Sequence, residues 1–323
     1  MSTRLALVAV AAVLLVGTAA DQPSDHSASV SQTSKPETVT YPSTVSFPGL
    51  EPTAPTCDLL GSLRPQGPLP EPGRMPAGST MAGIAEQGRL IVAIGLDTYL
   101  ISFRNPDGQL EGFDIDIAGD IAEAIFGDRS RVEYRQLDIP GRLAAVESGQ
   151  VDLMVGHMTI TCQRRAQVEF STVYYQAGQR VLVHRDSGIT SLNGLAGKRV
   201  CASRGSTSLR VVLADPSDPI PVGAASVTDC LVMLQLGEVN AVSTDDALLA
   251  GLAAQDPQTV IVGPPLTEEP YGVAINQAAP DLVRFVNAVL ERRVEDGRWL
   301  ASYQRWLTTL GPPPSPPEPQ YRD

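Results

Sequence analysis

Positive charge is scarce in this chain. Against 36 acidic residues stand 24 Lys and Arg, giving a formal net charge of −12 and a sequence pI of about 4.7. That sign repels a phosphate backbone, so nucleic acid is excluded as a partner. Histidine is rarer still: His26, His157 and His184 are the only three, and they do not cluster at ligand spacing. No zinc centre, and no cofactor of any kind, is implied. A phosphate loop is missing too, because Gly194 to Lys198 is too short and Arg199 stands where Ser or Thr is required. Nor is there an internal repeat. One long apolar run occurs, Leu5 to Ala20, and no cysteine ends it. A covalent lipid anchor at that place is therefore not expected.

What is present begins with that run. Arg4 precedes it and the small residues Gly17, Thr18, Ala19 and Ala20 close it, the order of a secretory signal. Residues 1–20 read as a signal peptide or a membrane anchor, which places the mature chain outside the cytoplasm, in the periplasm or cell envelope. Residues 21–80 are rich in Pro, Ser and Thr and lack any period, so they read as a stiff tether. Residues 312–323, with their proline run, read as a second such tail. The 323-residue length leaves room for two lobes between these ends.

Within the body, strand and helix signals alternate. Leu90 to Ile94 is a short apolar run suited to a buried strand, and Ile115, Ile117, Ile121, Ala122 and Ile125 recur on one helical face. A strand at Val132 to Arg135, a helix around Leu143 to Val146 closed by Gly149, and a buried run Val151 to Val155 follow. The pattern restarts with a strand at Lys198 to Ala202, a helix from Ser208, a helix around Leu231 to Leu236 and a strand at Ala241 to Ser243. This is the signature of an α/β fold with helices on both faces of its sheets, which bind ligands beyond the strand ends.

Five motifs then appear in register. They are Gly112-Phe113-Asp114-Ile115-Asp116, the loop from Val155 through Thr159-Ile160-Thr161-Cys162-Gln163-Arg164, Arg204-Gly205-Ser206-Thr207-Ser208 after Gly194 to Val200, Ala241 to Asp245, and Tyr271 to Ile275 with Gly297 through Trp306. Together they resemble the bacterial polar-amino-acid-binding proteins that serve ABC importers, the glutamine-binding-protein-like family, its mycobacterial members included, over about Gly88 to Gly311. The resemblance implies a type II periplasmic-binding-protein fold, two lobes joined by two hinge strands. Lobe 1 would hold 81–179 plus 271–311 and lobe 2 184–263, with crossings near Gln179 to Val183 and Pro264 to Tyr271. It implies a monomeric receptor that clamps a free polar or acidic amino acid (glutamate, glutamine, aspartate or asparagine) for a membrane permease or a membrane sensor.

The residue types suit that task. A planar guanidinium at Arg164 can grip an α-carboxylate, with Thr159 adding a hydroxyl and Ser206 and Thr207 facing it from a helix start. Asp245 would take the ammonium. Asp97 and Tyr99 would line the side-chain end and His157 the rim. Asp114 reads instead as the cap of a helix from Ile115, and either Asp245 or Asp246 as the cap of a helix near Ala247. Four cysteines in an exported chain suit two bridges, of three possible pairings. Cys201 and Cys230 fall in one lobe and pair best there, which leaves Cys57 with Cys162. The competing class is an enzyme on the same fold, similar to periplasmic dehydratases. It would need an acid or base aimed at substrate without a neutralising partner, and the polar residues above pair instead with an amino acid's fixed charges.

Overall fold

The computed structural model describes residues 57–323. The signal segment and most of the expected tether lie outside the described residues.

The first sheet is built from β1 (Leu90–Ile94), β4 (Val132–Gln136), β5 (Leu153–Met154), β6 (Glu169–Phe170) and β13 (Ala274–Ile275), in the order β4-β1-β5-β13-β6. A small hairpin, β2 (Phe103–Arg104) with β3 (Leu110–Glu111), stands beside it. Strand β1 runs parallel to β4 and β5, while β13 returns antiparallel between β5 and β6. Leu90, Val92, Ala93 and Ile94 are fully buried, as a strand covered on both faces requires. Around it lie α1 (Thr80–Gln87), α2 (Phe113–Phe126), α3 (Ile139–Glu147), the one-turn α4 (Cys162–Arg165), α8 (Pro280–Glu295) and α9 (Arg298–Trp306). Ile117, Ile121 and Ile125 form the buried stripe of α2. That helix starts at Phe113, two residues before the expected Ile115. Its cap is Gly112, whose φ of 132° and closeness to the Ile101 carbonyl admit no side chain. Asp114 is thus inside the first turn and caps nothing.

The second sheet contains β7 (Tyr175–His184), β8 (Arg199–Ser203), β9 (Ile220–Ala224), β10 (Ala241–Asp245) and β11 (Thr259–Val262), ordered β11-β7-β10-β8-β9. Helices α5 (Thr207–Ala214), α6 (Val227–Gln235) and α7 (Asp246–Gln255) pack on it. Cys201 on β8 is bonded to Cys230 on α6. Strand β12 (Glu268–Tyr271) pairs antiparallel with the first half of β7, so these two strands form the crossing between the lobes. Gln179 already pairs with Asp245 in the second sheet. The first crossing therefore spans Tyr175 to Gly178, just before the expected Gln179 to Val183.

Two compositional readings are corrected. Residues 57–80 are no tether: Ser62 is fully buried, the Gly73 N–H donates to the Ile125 carbonyl, and Ser79 caps α1. The proline tail also folds back. Tyr321 bridges to Ser62 and Asp323 pairs with Arg284. Proline removes periodicity without preventing a segment from docking through its carbonyls and side chains.

Candidate ligand-binding cleft

The strand ends of both sheets open into one cavity of about 520 Å³. Arg164, Thr159, His157 and Asp97 line it from lobe 1, and Ser206, Thr207 and Asp245 from lobe 2. Tyr99 does not line it: its ring packs edge-on against Phe103, so that expectation is corrected. The neighbouring Thr98 takes the place in the wall.

Arg164 projects from the four-residue α4, whose cap is Thr161 accepting from the Arg164 N–H. Its Nη1 donates to the Thr159 carbonyl at 2.6 Å. Burial, with Arg210 nearby, pushes its pKa down to about 10, so it stays cationic at neutral pH. Thr159 itself is held by a bridge to Tyr271 on the hinge strand. His157 adopts a left-handed backbone, φ 43°. Its Nδ1 lies 3.3 Å from the buried Asp114 carboxylate, which also accepts from the Tyr174 hydroxyl at 2.9 Å. Asp114 thus orients the cleft rim from behind.

On the facing wall, Ser206 caps α5, accepting from the Leu209 N–H and donating to the Ser203 carbonyl. Its hydroxyl proton is committed to the fold, and the open N-terminus of α5 is what it presents to the cleft. Thr207 donates to Glu269 Oε2 at 2.9 Å. Asp245 is buried and accepts from the Tyr271 hydroxyl at 2.6 Å. Burial and the Glu269 carboxylate raise its pKa to about 8, against the Tyr271 hydrogen bond. Asp245 occupies the cap position of α7 without a capping bond, and Asp246 Oδ1 accepts from the Ala247 N–H instead.

Sequence reasoning missed two charged groups here. Arg142 on α3 is 6% exposed and lines the cavity. Its Nε donates to the Leu137 carbonyl, and Nη1 reaches Gly156 O at 3.5 Å. Burial lowers its pKa, and the Asp97, Asp114 and Asp138 carboxylates oppose that shift. A signal did exist: Arg142, Ala145 and Val146 share one buried helical stripe, and a guanidinium on an apolar stripe is out of place. Glu269, buried on β12, carried no such mark.

The profile of the bacterial extracellular solute-binding proteins, family 3, matches residues 90–309. The chain belongs to this family. It is 33% identical over 251 residues to the glutamine-binding protein of a Bacillus subtilis ABC transporter, covering 77% of this chain and 92% of that one. A glutamine-binding protein of Geobacillus stearothermophilus is 36% identical over 197 residues, 60% of this chain and 75% of the other. Among solved structures, an ancestral arginine-binding protein bound to glutamine superposes with a TM-score of 0.63 at 33% identity, covering 68% of this chain and 98% of that one. The expected type II, two-lobed fold is therefore the fold of this solute-binding protein, and the family is one of exported binding proteins, not of enzymes. Among the described residues no helix is long and apolar enough to cross a membrane.

The lobes of this solute-binding protein touch across the cleft. Thr228 Oγ1 on α6 donates to the Asp97 carbonyl at 2.7 Å, and Arg210 Nη1 on α5 donates to Gln163 Oε1 at 2.8 Å. At Gly251 of α7, an added Cβ would stand 2.2 Å from the Tyr99 carbonyl oxygen.

Proposed function

We propose that this protein captures a free acidic amino acid, glutamate or aspartate, outside the cytoplasmic membrane and delivers it to the permease of an ABC importer. One observation carries the choice of ligand: the count of buried charges in the cleft. Of the charged residues that line the cavity, Arg142, Arg164 and Asp245 are buried, whereas Asp97, Asp138 and Asp229 lie exposed at its rim; Glu269 is buried behind Thr207, outside the lining. Two buried cations and one buried carboxylate complement a ligand with two carboxylates and one ammonium. Arg164 with Thr159 and the α5 N-terminus takes the α-carboxylate, Asp245 the ammonium, and Arg142 the side-chain carboxylate. His157 and Asp97 shape the rim. The names of the Bacillus and Geobacillus relatives support an amino acid as the cargo and, for the first, an ABC transporter as the recipient. Residues 1–20 serve as the export signal or the anchor that keeps the protein at the cell envelope.

Calorimetry against glutamate, aspartate, glutamine, asparagine and arginine tests this reading. Glutamate or aspartate should bind best. Arg142→Gln should cost the acidic ligands about 2–5 kcal/mol, because it strips the partner from a buried anion, and should change glutamine binding far less. Tighter binding of glutamine than of both acids by the native protein would overturn the assignment.

A further inference from the structure

Arg164 stands on a helix of a single turn, and one turn does not hold itself together, since nucleation fixes several residues for one hydrogen bond. Its orientation must come from outside α4. Its guanidinium is held by the Thr159 carbonyl, and α4 itself is held by a brace made of both ends of the described chain. Cys57 is bonded to Cys162, the first residue of α4, across 105 residues of sequence. Arg165, next to Arg164, donates from Nε to the Leu59 carbonyl at 2.9 Å. Ser62 then donates to the Phe170 carbonyl at 2.7 Å, and residues 320–322 lie along it: the Ser62 N–H donates to the Gln320 carbonyl and the Arg322 N–H to the Ser62 carbonyl. Arg322 reaches Glu169, the carboxylate that also holds Arg165. Every one of these contacts is on lobe 1, and none enters the cleft.

We propose that this brace, with the Cys57–Cys162 bridge at its head, positions Arg164 for the ligand carboxylate. Ligand affinity then depends on residues 57–62 and 320–323, which touch no ligand. The inference rests on Arg164 being the carboxylate grip. A pre-organised side chain spares the ligand the entropy of ordering it, so releasing the brace weakens binding while the cleft keeps its chemistry. The expected loss on removing Cys57 and Cys162 is roughly 2- to 13-fold in affinity, that of one newly mobile side chain. The Cys201–Cys230 bridge on lobe 2 has no such link to Arg164 and serves as the control.

The test measures L-glutamate affinity by calorimetry, and melting temperature, for four proteins beside the native one. Cys57→Ala with Cys162→Ala should weaken binding by that factor. Removal of Gln320 to Asp323 should weaken it in the same direction by less. Cys201→Ala with Cys230→Ala should lower the melting temperature and leave affinity nearly unchanged at a temperature where the protein is folded. Arg164→Ala should abolish measurable binding. If Arg164→Ala binds as the native protein does, the reading of the site fails and the brace inference with it. If Arg164→Ala is dead while both brace variants bind with native affinity, the brace inference alone is overturned. Should the double cysteine variant not fold, the truncated protein decides by the same criterion.

Discussion

Asp245 is the residue whose chemistry is set most by its surroundings. Its pKa is raised from 3.8 to about 8 by burial, so its contribution to stability is full below 3.8 and is lost as pH rises through about 8. An ammonium placed against it favours the ionised form and lowers that pKa. At neutral pH, docking the ammonium should therefore expel up to one proton, and affinity should climb between about pH 6 and 8 before levelling. Calorimetry at one pH in two buffers of different ionisation enthalpy measures this proton directly. Identical heats in the two buffers would refute it, and Asp245→Asn should remove any difference. Arg164, Thr159 and Asp245 were legible because each stands in a short motif that resembles one of the family's, on α4, on the loop before it and at the end of β10. Arg142 stands outside every motif, and only folding α3 against the first sheet brings it to the same cavity. Tyr99 was misread because the loop after β1 turns its ring toward Phe103 instead of the cleft.

At the scale of elements, the seam between α7 and the loop after β1 leaves no room for a side chain at Gly251. Gly251→Ala would drive a methyl group against the Tyr99 carbonyl, and overpacking of this kind costs about 1–3 kcal/mol. Ligand affinity should fall, with little change in the far-ultraviolet circular dichroism that reports helix content. Native affinity in this variant would mean that the seam yields freely. Helix α2 was legible from its period and β1, β4, β8 and β10 as short runs, whereas α8 and β9 were not read. Strand β5 falls inside the buried run Val151 to Val155, but the two-residue β6 and β13 carry too few residues to show a period, and nothing local reveals that β13 inserts between β5 and β6. Residues 57–80 were misread for a related reason. Their order comes from partners such as Asn287, which donates to Ser62 and Leu63 across more than 220 residues, and composition is blind to such partners.

At the largest scale, the described residues form a pair of lobes hinged at β7 and β12, with the proposed ligand groups on both sides of the cleft. A ligand that touches both walls stabilises the closed arrangement by its differential contacts, and the two strands can bend while each lobe keeps its packing. Small-angle scattering should show a smaller radius of gyration with saturating glutamate, and superimposable curves despite tight binding would rule out the clamp. The two-lobed plan was legible as two successive runs of strand and helix, whereas the docking of the two ends was not. That docking also sets an order of assembly. Lobe 2 is one continuous stretch, so it can fold as soon as it is made, whereas lobe 1 is two distant stretches closed by the pairing of Ser62 with Tyr321. Domains fold as units during synthesis, and long loops close late. As the chain emerges outside the membrane, lobe 2 with Asp245 can thus be complete before β13 joins the sheet of lobe 1. Half of the receptor exists before any of it can hold a ligand.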